Sequence, residues 1–250
     1  MADIKFPCKP GRQLTITVAR LLDQAGIPNV LCGEIMLYAY GVPTATWCNT
    51  WVIPDHLIEA AFKTLRDASF PICEMGSECL LVKRWGREPI PEYHFHVDHT
   101  YDKYAWTVDL HKKSSILWML PDPTVEPPVP DDQTYMLTTD PRLPPWIPGY
   151  GGGRWLECSY PIKIPRPARF LEACFYLYCR DRDGVGFSSY WMVHISYIQQ
   201  YVEGNPCKGI ITYDDLEEPV RQFLELRNAD LIEKILGASW ASAEQASRRE

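Results

Sequence analysis

Near the end of the chain four carboxylates crowd into five positions, Asp214, Asp215, Glu217 and Glu218, within the stretch TYDDLEEPVRQF. Acids this dense repel one another unless solvent or a cation relieves them. A guanidinium does so well, because its planar fork matches a carboxylate with two parallel hydrogen bonds. A helix start offers a second use. Asp214 with Glu217, or Asp215 with Glu218, has capping-box spacing, and acids favour the positive end of the helix dipole. Pro219 weighs against a simple cap. Counted from Asp215 as N-cap it falls at N4, and counted from Asp214 at N5, whereas proline belongs at N1. The helix is therefore expected to begin near Pro219, with the acids in a turn or short helical segment ahead of it. In a helical turn Asp214 and Glu218 would share a face.

A second group of reactive side chains stands in YHFHVDH. Strand alternation puts His94, His96 and Asp98 on one face and His99 on the other. Two imidazoles and a carboxylate suit Zn²⁺ or a non-haem metal. Side chains two apart on a strand meet on one ion only if a loop or another strand helps. General acid–base use of a histidine is the preferred reading, since imidazole titrates near neutrality. No metal and no cofactor are expected.

Other candidates are weaker. Lys163, Arg166 and Arg169 precede an apolar segment and are the best choices for phosphate contacts. Lys83, Arg84 and Arg87, and Lys112 and Lys113, read as solvated faces. Ser188, Ser189 and Tyr190 in GFSSYW are the nearest to an acyl-accepting nucleophile, although a serine there more readily caps a helix. Glu172 and Arg180, inside an apolar helix, read as a structural acid and base that pair with neighbours. The PGYGGGRW run reads as a mobile glycine loop before it reads as a backbone approach to a ligand.

These residues need a frame to hold them. The chain has 250 residues, 46% hydrophobic and 23% charged, enough for one large or two small globular domains. Net charge is −7, which disfavours a broad nucleic-acid footprint but leaves room for a local basic face. No apolar run is long enough to span a bilayer and no signal peptide is visible, so a cytoplasmic protein is expected. The nine cysteines form no CxxC pair. Cys32, Cys174 and Cys179 lie in apolar segments, and the set reads as reduced core thiols.

Apolar periodicity predicts a helix over 13–25, a strand over 29–32, a short helix ending at Gly41, and a strand in ATWCNTWVI. A helix follows with Asp55 as N-cap. FPICE and CLLVKRW read as strands, and YHFHVDH pairs with the segment from Tyr104. From Pro165 onward the pattern is helical. An α/β (α+β) layered protein follows. Its parts are an α/β core at 1–120, a proline- and glycine-rich loop region at 121–160 and a helical region at 161–250.

The segment from Gly26 to Ile53 resembles the core of polymerase-β-type nucleotidyltransferases, in which a strand, a glycine turn (here Gly33-Glu34), a short helix and a strand bearing Asp-x-Asp follow one another. The aspartate positions fall on about Cys48 and Thr50, which cannot hold the paired Mg²⁺ ions of nucleotidyl transfer. Asp98 is the candidate third carboxylate. The resemblance implies a mixed sheet with flanking helices that has lost nucleotidyl transfer.

Asp214, Asp215 and Glu218 also spell Asp-Asp-x-x-Glu. In a chain of this size and character, that looks like the fungal arginine-containing cyclodipeptide synthases, a tRNA-dependent class carrying a DDxxE motif. The resemblance implies Arg-tRNA and a second aminoacyl-tRNA as substrates, a cyclic dipeptide as product, and no need for ATP or metal. On this reading Asp214, Asp215 and Glu218, with Glu217 as alternative partner, bind the arginyl guanidinium. His94, His96 or Asp98 moves the proton, and Lys163, Arg166 and Arg169 meet tRNA.

Overall fold

The computed structural model describes residues 11–83, 89–98, 106–181, 188–203, 211 and 213–227. Contacts divide the chain into two units, Met1–Ile211 and Thr212–Glu250.

The first unit opens with α1 (Arg12–Gln24), β1 (Val30–Cys32), α2 (Gly33–Ala39) and β2 (Cys48–Ile53). It continues through α3 (Ile58–Asp67), α4 (Leu80–Lys83), β3 (Tyr93–Asp98), β4 (Trp106–Lys112) and α5 (Lys113–Ile116). β5 (Tyr135–Leu137), β6 (Lys163–Pro165), α6 (Pro167–Asp181) and α7 (Ser188–Ile198) complete it. The order is that of a mixed α/β protein. Four strands form one sheet in the order β1-β2-β4-β3, with β2 and β4 parallel and both edges antiparallel. β5 and β6 pair antiparallel in a second, smaller sheet.

Strand register divides the larger sheet into two unlike faces. Residues directly opposite across a ladder point the same way. Trp51 sits opposite Leu110, Leu110 opposite Tyr93, and Val108 opposite Phe95, which gives an apolar face. Helices α1 and α3 cover it. Phe62 of α3 stacks on Tyr93 at 4.2 Å and on Phe95 at 5.7 Å between ring centres. Thr15 of α1 donates a buried hydrogen bond of 2.7 Å to Asn49 of β2. The opposite face carries Cys48, Thr50, Thr107, Asp109, His111, His94 and His96 in adjoining rows.

Several local expectations change. CLLVKRW was expected to be a strand, but α4 occupies Leu80–Lys83. The Cys79 carbonyl accepts the N–H groups of Val82 and Lys83, which starts a helical turn there. FPICE supplies only a bridge, Ile72 to Phe95. Asp55 does not cap α3. A short 3₁₀ turn over Asp55–Leu57 comes first, and the Asp55 carboxylate instead accepts the Ser114 backbone N–H at 3.0 Å. The glycine run is not an open loop. A Cβ on Gly151 would stand 2.5 Å from the Val42 carbonyl oxygen, and one on Gly152 would stand 2.2 Å from the Tyr38 ring. Those glycines are small so that the chain can lie against the end of α2. Cys32 and Cys174 are buried as expected, whereas Cys179 is exposed.

In the second unit a 3₁₀ turn covers Tyr213–Asp215, and a helix, α8, runs over 218–227 among the described residues. The Glu217 carbonyl accepts the N–H groups of Val220 and Arg221, each at 3.0 Å. Glu217 is therefore the N-cap and Pro219 lies in the first turn, where its missing N–H costs nothing. The tail after 227 lies outside the described residues. No helix among the described residues is long and apolar enough to cross a membrane.

Candidate functional site

The polar face of the sheet holds two adjoining features. The first is a shallow cleft at its centre, lined by Glu34, Cys48, Thr50, Asp109, His111 and Tyr190 among others. Gly33 makes the cleft possible. Its φ of 69° is the left-handed conformation that suits glycine, and an added Cβ would stand 2.9 Å from the Thr50 hydroxyl. The turn thus lies against β2 and sets Glu34 over the strand.

Cys48 and Thr50, the positions that the nucleotidyltransferase resemblance aligns with Asp-x-Asp, line this cleft. The carboxylate beside them is Asp109 of β4, opposite Thr50 and only 3% exposed. Asp98, the expected third carboxylate, is not at this place. It ends the edge strand β3, where the ladder shifts between His96 and Asp98 so that Asp98 pairs with Trp106. That shift interrupts the ladder beyond His96. The side chain of Asp98 and the whole of His99 lie outside the described residues. Asp109 was missed because VDL in β4 reads as an apolar strand with one acid, and only the parallel pairing with β2 reveals its partner.

His111 completes the cleft floor. It is buried, and its Nδ1 has no hydrogen-bond partner among the described residues. Burial pushes its pKa down to about 3, so the ring is neutral at physiological pH. Tyr190 stands on the wall, in the first turn of α7. The side chains of Ser188 and Ser189 lie outside the described residues.

The second feature is the histidine pair on β3. His94 and His96 do share one face, and both Nε2 atoms point at the same thiol: each is 3.3 Å from Sγ of Cys79. Cys73 joins them, and the four ligand atoms of Cys73, Cys79, His94 and His96 all lie within 4.8 Å of one another. The two rings meet edge to face, 5.3 Å apart. Burial, then the neighbouring His96, pushes His94 down to about 4. Burial raises the Cys79 thiol, while hydrogen bonds from the backbone of Leu81 and Val82 to its sulfur act the other way. The histidines are thus arranged around sulfur rather than as bases facing an open cleft. The cysteines were overlooked because they form no CxxC pair. The readable signal was a C-x₅-C followed by an H-x-H on a strand.

In the second unit the acidic turn behaves as a guanidinium seat for the chain's own arginine. Arg221 Nη1 lies 3.7 Å from Asp214 Oδ1, and Nη2 bonds Glu218. That hydrogen bond, with a further one from Gln222, holds the Glu218 carboxyl below its ordinary value. The Asp214 side chain is 97% exposed. Asp215 and Glu217 are exposed as well.

The basic trio of Lys163, Arg166 and Arg169 is engaged within the first unit. Lys163 is buried, with its ammonium on the Thr124 carbonyl, and burial lowers its pKa. Arg166 reaches the Asp132 carbonyl at 3.3 Å and the Gln133 side chain at 3.1 Å. Arg169 pairs with buried Glu172 at 2.8 Å. Arg180 binds Asp181 and the Ser115 carbonyl. Glu172 and Arg180 therefore have the structural partners expected of them. Lys83 pairs with Glu78, Lys112 with Glu92 and Lys113 with Asp122. Arg84 and Arg87 lie outside the described residues.

Compared with known proteins, the chain matches no family model, no curated protein and no solved structure.

Proposed function

We propose that the protein is a tRNA-dependent aminoacyltransferase that joins arginine from Arg-tRNA to a second aminoacyl residue as a cyclic dipeptide, on a nucleotidyltransferase-like scaffold. The observation that carries the reading is the guanidinium of Arg221 held by Asp214 and Glu218. The DDxxE acids already meet the functional group that an arginyl substrate would bring. Asp214, Asp215 and Glu218, with Glu217, take the substrate guanidinium on this reading, and Arg221 yields its place.

The chemistry needs little beyond positioning. The amine of one aminoacyl group attacks the ester carbonyl of the other. The new amide forms, the ester C–O bond breaks, and the tRNA 3′ oxygen leaves with a proton. A second attack by the remaining amine closes the ring and frees the second tRNA. The ester supplies the activation, so neither ATP nor a catalytic metal is required. Cys48 and Thr50 at the aspartate positions of the scaffold agree with a cleft that does not perform two-metal nucleotidyl transfer.

A base must take the proton from the attacking amine. His94 and His96, committed to Cys79, suit that role less well than the cleft carboxylates. Glu34, at the rim above β2, is assigned to it, with Asp109 and neutral His111 as the polar floor. Contacts with tRNA phosphates fall to Arg166 and Arg169, whose guanidiniums are not buried as Lys163 is.

Expression of the full chain in a bacterial host, read by mass spectrometry of the medium, tests the proposal. Arginine-containing diketopiperazines are expected from the wild type. Asp215→Ala and Glu218→Ala should abolish them while leaving a folded protein. No cyclic dipeptide from a soluble, folded wild type would sink the reading. Retained activity in both variants would remove the acidic seat while keeping the enzyme class. The pair Glu34 and Asp109 favours one rival, a residual nucleotidyltransferase, and transfer of label from ATP to an acceptor would select it.

A further inference from the structure

We propose that Cys73, Cys79, His94 and His96 bind a single structural Zn²⁺ ion that staples the 71–83 segment to the edge of the sheet. The inference does not depend on aminoacyl transfer. It rests on which atoms converge and on how the fold delivers them.

The donors are two thiols and two imidazole nitrogens, the Cys₂His₂ set of closed structural zinc sites. A tetrahedral ion with Zn–S of about 2.3 Å and Zn–N of about 2.0–2.1 Å sets its donors about 3.4 to 3.8 Å apart. The Cys79 sulfur lies 3.3 Å from each histidine nitrogen, and the four donors fall within a 4.8 Å limit. Small side-chain adjustments therefore suffice. Soft sulfur and borderline nitrogen in a tetrahedral set select zinc over the oxygen-seeking cations. All four positions are filled by the protein, which leaves none open for a substrate and marks the site as structural.

Three independent pieces of backbone bring the donors together. His94 and His96 are alternate residues of β3, so they lean the same way. Cys73 is delivered by the chain just before it: the Pro71 carbonyl accepts the His96 N–H at 3.2 Å, and Ile72 bridges to Phe95. Cys79 returns after the 3₁₀ turn Gly76–Glu78, where Gly76 adopts a φ of 51°. Its sulfur meets the N–H groups of Leu81 and Val82. Such donors around a ligating sulfur stabilise the thiolate and fix its direction, as outer partners of metal ligands do. A five-residue gap closed through β3 gives one cross-link between a loop and an edge strand that otherwise has a single sheet neighbour.

The test uses the full chain, expressed with zinc supplementation and purified under a phosphine reductant so that the thiols stay reduced. Elemental analysis should give one zinc per chain. After chelation, titration with Co²⁺ should produce tetrahedral ligand-field bands and thiolate-to-cobalt charge transfer. Both should saturate at one equivalent and bleach when Zn²⁺ is added. Cys73→Ser, at the less buried ligand, should weaken the charge-transfer band and lower zinc retention. Cys158→Ser, an exposed thiol outside the cluster, should change neither. Substoichiometric zinc in reduced protein with only weak octahedral cobalt spectra overturns the proposal. So does stoichiometric iron or copper in place of zinc, or undiminished zinc retention in Cys73→Ser. Should Cys73→Ser fail to fold, the cobalt titration of the unaltered chain still decides.

Discussion

In the proposed transfer, Glu34 is the side chain with the most to do. The left-handed turn at Gly33 holds it against β2, and it overlooks a cleft floored by Asp109 and His111. As the proton acceptor of the proposed transfer, it should be sensitive to the loss of one charge. Glu34→Gln keeps the size and the hydrogen-bonding reach but not the basicity. A general base is worth roughly 10² to 10⁴ in rate, so cyclic dipeptide production should fall by about that range while the thermal midpoint stays near wild type. Unchanged output would return the proton transfer to another group. How far such residues could be read in advance depended on what pairs them. Gly33-Glu34 and the row of Cys48 and Thr50 were legible, because turn and strand are contiguous in sequence. Asp109 was not, since it reaches Thr50 only across a parallel strand pairing in which partners stand 59 positions apart in sequence. Cys73 and Cys79 were not, because their meaning lies in the histidines opposite them.

The elements carry the same lesson at longer range. Strands rich in β-branched and aromatic residues (β2, β3 and β4) fall where their composition places them. So do α1, α3 and α6, whose apolar positions recur at helical spacing over many turns. Short segments fail. Leu80–Lys83 has too few residues for a period to show, and its helical turn is fixed by backbone bonds to the Cys79 carbonyl. β5 and β6 hide in proline-rich sequence because each has only three residues and needs the other. What joins helices to the sheet is also partly polar. The Thr15 hydroxyl bonds the Asn49 oxygen at 2.7 Å, and both residues are fully buried. Thr15→Val keeps the shape and removes the donor, leaving an amide oxygen buried without it. A cost of about 1–3 kcal/mol is expected, read as a lower urea midpoint at unchanged slope. A neutral result would show that α1 is held on the sheet by its apolar contacts alone.

For the molecule as a whole, the buried imidazole of His111 ties stability to pH. In the folded chain burial holds its pKa down to about 3, whereas an unfolded histidine titrates near 6.5. Between those values the unfolded chain binds the proton and the folded chain does not. Stability therefore rises with pH across this window. The penalty is absent well above the unfolded pKa, grows as pH falls, and is complete below the folded pKa. Each unit of separation is worth about 1.4 kcal/mol, so lowering pH from 7 to 5 should cost roughly 2 kcal/mol through this one group. The paired carboxylates act lower down. Asp140 and Asp181 are held below the ordinary carboxylate range because hydrogen bonds, from Arg142 in one case and from Arg180 and Trp191 in the other, outweigh the opposing effect of burial. Their contribution is present above the unfolded carboxylate pKa and is lost only as pH falls below it. His94 shares the upper window in metal-free protein, so the comparison belongs in the zinc-loaded chain and between two slopes rather than two stabilities. His111→Leu carries its own packing cost at every pH, and that cost cancels when each protein is compared with itself. Urea midpoints at pH 7 and pH 5 should fall less in His111→Leu than in the wild type, by the equivalent of roughly 2 kcal/mol. Equal falls in the two proteins would mean that His111 takes up its proton in the folded state, and that the floor of the cleft is wetter than its burial implies.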